Sequence, residues 1–313
     1  LKLTITRGGA FSVIVATQRG LFRSRGQFGA DGLADVVLGR GRTESVLSLA
    51  IDLGDPQHSL TGSLSGWVGD LTLRSDSVLA DRREAPTTAR RYTMSLQPPA
   101  DDSALKGSGF VTLTVSTSYA ARIVGQLQDG TRFAAASVQR RDGTLAWTTS
   151  LYSRHGWVLG SVALLDQPSQ PAQGIVKWCS EEYSLRKVTK PAFDHELPVL
   201  VSSYTAPSVV TSHVLDFLDP TDANATVVLR DGGLPSAEEK VISFGRADAI
   251  KVVSPLADPL RVRVIRSTGL FSGTAMVEGK RQPLIGVFLQ NENRGAGFFL
   301  GGAGSGAVEI APQ

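Results

Sequence analysis

With Cys179 as its single cysteine, the chain can form no internal disulfide, and its fold must be held by burial and hydrogen bonding alone. Long apolar runs are also missing. No stretch approaches the roughly 18 consecutive apolar residues that a transmembrane helix needs, so a helical membrane anchor is excluded. Charged residues make up only 19% of the chain and aromatics 7%, and the formal net charge is +3. Basic residues come scattered or in pairs, as at Arg40 and Arg42, Arg90 and Arg91, or Arg140 and Arg141, and never as a run. Such pairs read as solvated strand ends that guard sheet edges. With few aromatics and no basic tract, a nucleic-acid surface is not expected.

Catalytic spacings are absent as well. His58, His155, His195 and His213 show no His-x-x-x-His or Cys-His pattern, so zinc has no support. There is no Gly-x-Ser-x-Gly elbow. The glycines at Gly295, Gly297 and Gly301 are mis-spaced for a dinucleotide, and Gly273 to Lys280 is one residue too long for a phosphate loop, with Arg281 where a hydroxyl belongs. The densest titratable cluster, Asp194-His195-Glu196, reads as a polar loop. Asp216, Asp219 and Asp222 recur at every third position but lack the bend glycine and distant glutamate of a calcium loop. Cys179, beside Trp178 in an apolar run, reads as an inert packed thiol. The expectation is a protein that is not an enzyme, with no catalytic residue, no metal and no cofactor.

What the chain does have is glycine, 33 of 313 residues. Short apolar-alternating runs of period two recur throughout, each closed by a turn residue, and no segment of helix length is periodic. Asp129-Gly130 and Asp142-Gly143 are type I′ hairpin signals. Three segments, Leu3 to Leu38, Val111 to Leu151 and Val262 to Leu300, share a strand-turn plan that suggests copies of one unit. The fold class expected is all-β: two consecutive antiparallel β-barrel or barrel-like sandwich domains built from repeated meanders. Residues 1–88 would form the first domain. The second would span 89–313, with an irregular insertion around 166–259.

One group has binding character. Trp147, Tyr152, His155 and Trp157 fall within eleven residues across two expected strands and a turn. Exposed, they would stack on sugar rings; buried, they would be barrel wall.

Several stretches together carry a likeness: STGLFSG at 267–273, QPLIGVFLQ at 282–290, NENRGAGFFLG at 291–301 and GSGAVEI at 304–310. The run Arg91 to Leu96, GQLQDG at 125–130, Leu151-Tyr152 and Gly156-Trp157 add to it. Nearly the whole chain resembles the C-terminal β-rich region of large secreted or surface proteins of Verrucomicrobia-type bacteria, a family without assigned activity. The chain departs from that pattern at Cys179-Ser180-Glu181-Glu182 and at Asp194-His195-Glu196. The resemblance implies an extracellular or cell-surface location and a non-catalytic structural or adhesive role. Other modules of the same polypeptide or surface proteins would be its partners. A carbohydrate-binding module using exposed aromatics around Trp147–Trp157, with glycans as partners, is the alternative. The start at Leu1, without methionine or a signal-like segment, suggests a processed portion of a longer polypeptide.

Overall fold

The computed structural model describes residues 2–17, 20–54, 59–67, 71–75, 87–140, 142–164, 173–185, 188–217 and 223–313. Among these the regular structure is β-strand, apart from single 3₁₀ turns. The first part contains β1 (Lys2–Ile5), β2 (Ala10–Thr17), β3 (Gly20–Gln27), β4 (Leu33–Leu38), β5 (Ser45–Ile51), β6 (Leu60–Gly66) and β7 (Leu71–Ser75). They pair as a three-stranded sheet, β1-β2-β3, and a four-stranded sheet, β4-β5-β6-β7. Phe11, Val13, Leu38, Leu47 and Leu64 form one core between the two sheets.

Two nearly closed eight-stranded antiparallel sheets follow, as the alternating pattern predicts. The first contains β8 (Arg90–Leu96), β9 (Gly109–Val115), β10 (Ala120–Gln126), β11 (Arg132–Val138), β12 (Thr144–Leu151), β13 (Gly156–Ala163), β14 (Gln173–Ser180) and β17 (Phe193–Ser203). Its order is β11-β10-β9-β8-β17-β14-β13-β12. The edge strands approach each other where Ser137 Oγ donates to the Ala146 carbonyl. A small hairpin, β15 (Tyr183–Leu185) with β16 (Val188–Lys190), lies between β14 and β17 in sequence.

The second sheet is built from β18 (Ala225–Asp231), β19 (Glu238–Phe244), β20 (Ile250–Ser254), β21 (Arg261–Ile265), β22 (Leu270–Val277), β23 (Lys280–Leu289), β24 (Arg294–Gly301) and β25 (Gly304–Pro312). They run in the order β20-β19-β18-β25-β24-β23-β22-β21. The interval 166–259 therefore supplies β14 and β17 to one barrel and β18, β19 and β20 to the other. Each of the three look-alike segments forms four successive strands. Their ladders break differently: between third and fourth strands in the first two segments, and not within the third.

Each barrel has its own interior. Met94, Leu113, Ile123, Trp147, Val158 and Trp178 fill the first; Val227, Ile242, Phe271, Leu284, Phe299 and Ile310 fill the second. The turn glycines are left-handed, as at Gly130 (φ 87°) and Gly143 (φ 80°), but Asp129 and Asp142 before them are not, so the type I′ expectation, which needs positive φ at both central residues, is corrected. Strand glycines have a different job. Gly26, Gly125, Gly160, Gly286 and Gly306 stand directly opposite Phe11, Phe133, Trp147, Phe271 and Phe299 in the ladders. Each aromatic ring folds over its glycine, so that a Cβ added at Gly26 or Gly125 would come within 2.5 Å of the ring.

The barrels are fused along β8, β9 and β17 on one side and β23 and β24 on the other. Phe110, Val287, Leu289, Ala296 and Phe298 make an apolar layer between them. Thr93 Oγ1 donates to the Phe288 carbonyl at 2.6 Å inside that layer. The loop 97–108 adds main-chain bonds across the join, Ser305 N to Ala104 O at 2.9 Å and Ser108 N to Gly297 O at 3.1 Å. The connection after β17 is held by side-chain amides of the β23–β24 turn. Gln290 Oε1 accepts from Thr205 N at 2.7 Å, and Asn293 bonds both the N–H and the carbonyl of Asp216 at 2.8 Å.

Two outcomes test this packing. Gly160→Ala puts a methyl group into the Trp147 ring and should cost about 1–3 kcal/mol, read from the urea midpoint. Glu292 sits in the amide-lined turn with Oε2 buried and unbonded. Burial raises its carboxyl above the ordinary value, against the opposing pull of its own backbone amide and Arg294. The folded chain therefore holds this proton more tightly than the unfolded one, and that contribution, full at low pH, is lost as pH rises through the raised value. Glu292→Gln should accordingly gain stability relative to the parent between pH 4 and pH 7 in parallel urea titrations.

Candidate functional site

One end of the first barrel collects the loop 97–108, the β10–β11 turn, the β12–β13 connection and the start of β17. The β12–β13 connection turns by three successive left-handed residues, Tyr152 (φ 48°), Ser153 (φ 57°) and Arg154 (φ 81°). That strained path folds the Tyr152 ring over Gly156, where a Cβ would clash with it. Tyr152 Oη then donates to Asp129 Oδ2 at 2.7 Å and accepts from Trp178 Nε1 at 3.0 Å. Asp129 is fixed in turn by Thr131, whose N–H and hydroxyl reach it at 2.8 and 2.7 Å. Burial first, then the Asp129 charge, pushes the Tyr152 phenol far above its ordinary range.

From Tyr152 the rings continue in both directions. Tyr183 stacks on Tyr152 with centroids 5.6 Å apart, and His155 stacks on Tyr183 at 5.3 Å. Phe193 meets Tyr152 edge-on at 6.4 Å, and His195 stacks on Phe193 at 4.9 Å. The result is one row, His195, Phe193, Tyr152, Tyr183 and His155, each ring against the next. It runs from buried to exposed, since His195 is only 8% accessible while His155 faces solvent.

Carboxylates border the buried end. His195 Nδ1 is 3.2 Å from Asp101 Oδ1, and Nε2 is 3.6 Å from Asp102 Oδ2. Asp102 is anchored by the Ala104 N–H at 2.8 Å, whereas the Asp101 side chain is 64% exposed. An imidazole between two carboxylates, one of them open to water, can accept and release a proton.

The aromatic group expected from the sequence divides. Tyr152 and His155 lie in the row. Trp147 and Trp157 do not present their faces, and the expectation of an exposed platform around Trp147–Trp157 is corrected: they are 2% and 3% accessible. Trp147 points into the barrel over Gly160. Trp157 lies on the opposite side of the sheet, level with Cys179, and is buried there. The Asp194-His195-Glu196 cluster is strand rather than loop, and period two splits it, with His195 inward and Asp194 and Glu196 outward. Asp216 bonds Asn293, while His58, Asp219 and Asp222 lie outside the described residues. Phe193 and Tyr183, which complete the row, were missed. Phe193 two residues before His195 was the available signal, because that spacing places both on one strand face.

A second histidine–aspartate pair occurs in the other barrel. His213 Nδ1 lies 3.0 Å from Asp248 Oδ1, and Arg266 Nε lies 2.8 Å from Asp248 Oδ2. The Asp248 side chain is fully buried and also accepts the Val214 N–H at 3.2 Å.

No family model matches the chain, and no curated protein matches it. Among solved structures the chain is similar to an endo-1,5-α-L-arabinanase from Thermotoga petrophila RKU-1, with 8% identity over 100% of this chain and 97% of that one, at a TM-score of 0.23. The solved structure found is that of an arabinanase, and the expected non-catalytic structural or adhesive module is withdrawn. At that TM-score the likeness transfers neither fold nor residues.

Cys179 gives a direct check of the wall behind the row. Its thiol donates to Asp194 Oδ1 at 2.9 Å, and burial together with that carboxylate pushes it up to about 12. Iodoacetamide at pH 8 should leave Cys179 unmodified in the folded protein and alkylate it fully in urea, as read by intact mass.

Proposed function

We propose that the chain is a carbohydrate-active protein that seats a saccharide along the ring row at the mouth of its first barrel. The observation that carries this reading is the unbroken contact of five rings, from His195 to His155, ending beside fixed carboxylates. Sugar rings offer apolar C–H faces that pack on aromatic rings and hydroxyl edges that donate to carboxylates, and the mouth supplies both. His155 is the exposed ring, and the half-buried Tyr183 stacks beside it. Asp101, Asp102 and Asp129 provide acceptors, with Asp129 pre-oriented by Thr131 and Tyr152. His195 stands where the row ends, within reach of both Asp101 and Asp102, and is the group able to move a proton there.

Titration calorimetry against a panel of neutral oligosaccharides tests the reading. At least one should bind, and Tyr183→Ala should weaken it by about tenfold, equivalent to ~1.4 kcal/mol. A panel with no binder, or a Tyr183→Ala variant that binds as the parent does, would remove the proposal.

A further inference from the structure

The opposite end of the first barrel holds a separate opening. Where β8 begins and β17 ends, a cleft of about 380 Å³ is lined by Arg90, Arg91, Tyr92, Ser203, Tyr204 and Thr205, together with the small residues of 88–89 and 206. That volume lies at the small end of ligand-binding cavities. Arg90 and Arg91 are consecutive on a strand, so their side chains leave opposite faces of β8, and the start of the strand brings both to the same opening.

Among the described residues the charged side chains lining the cleft are arginines. No acidic side chain lines it among the described residues. Arg91 Nη1 donates to the Ser267 carbonyl at 3.0 Å, which holds the guanidinium in place without neutralising it. A guanidinium has five N–H donors, so most of the fork remains for a ligand. The nearby phenol adds no negative charge. Burial, then the Asp248 charge, raises Tyr204 to about 12, and its hydroxyl donates to the Arg266 carbonyl. Asp248 itself is committed to Arg266 at 2.8 Å and His213 at 3.0 Å.

We propose that this cleft binds a small oxyanion, with Arg91 as its principal partner. Planar, two-oxygen groups suit a guanidinium fork, so the ligand class is a compact molecule bearing a carboxylate or a phosphate. The site is independent of the ring row at the other mouth.

Calorimetry at constant ionic strength, with inorganic phosphate in one arm and succinate in the other, separates the two sources. One arm should show saturable binding in the parent protein. Arg91→Met should weaken it at least tenfold. Because Arg91 also ties the barrels together through Ser267, Ala89→Glu serves as a second variant. Ala89 is an exposed lining residue, and the change adds a negative charge without touching that bond. It should abolish binding while the melting temperature and the saccharide response stay at parental values. Absence of saturable binding in both arms, or equal binding in the parent and Ala89→Glu, would overturn the proposal.

Discussion

Closing a sheet of short strands around large rings requires room at the ring, and in this protein the room comes from the residue directly across the ladder. Five times a strand glycine faces an aromatic residue, in the N-terminal sheets and in both barrels. A glycine weakens a strand by leaving main chain uncovered and costing backbone entropy. A ring laid across it restores the cover and fills the interior at the same position. With aromatics at only 7% of the chain, each ring must close a large share of its barrel, and each depends on one partner. That dependence explains how a chain without a disulfide keeps three separate apolar cores.

Fusion of the two barrels follows a different logic. The apolar layer around Phe110 and Phe298 is small, and it is bordered by bonds in which a side chain reads main chain. Gln290 satisfies both the donor and the acceptor of Thr205, and Asn293 those of Asp216, on the connecting segment. Thr93 does the same work from the other side by donating to Phe288 O. Bonds of this kind fix register, because a shift by one residue would break both bonds at each amide and leave the buried Thr93 hydroxyl without its acceptor. The mouth of the first barrel is therefore carried on a wall whose position is set by the second.

The strand pattern was legible because period two and turn chemistry are local. Asp129-Gly130 announces a hairpin by its own conformational preferences and closes β10 on β11; Asp142-Gly143 makes a tight turn, but the strands it joins, β11 and β12, are the two edges of the barrel sheet and do not pair. The site was not legible, because its members meet across the sheet rather than along it. Asp101 reaches His195 from a loop that belongs to β8 and β9, and Asp129 reaches Tyr152 from the turn two strands away. Proximity in sequence misled at Trp147 and Trp157, which close up in the chain but face opposite sides of one wall. It misled again at Asp194-His195-Glu196, where three consecutive titratable residues are divided by the pleat.

The two histidine–aspartate pairs differ in a way that bears on the proposed site at the first barrel. In the second barrel Asp248 is sealed from water and shared among His213, Arg266 and the Val214 amide, so its charge is already spent. Removing any partner would leave a buried ion uncompensated, which makes that network a tie between segments. Ala247 and Asp248 hold left-handed backbone to make it. His195 has the reverse arrangement: the imidazole is covered by Trp178 and Phe193, while its carboxylate Asp101 stands largely in solvent. An exposed acid contributes little to holding a fold together. A covered base beside an open acid, at the end of a row of rings, is an arrangement that stability does not require, and a ligand entering the mouth would meet it first from the Asp101 side.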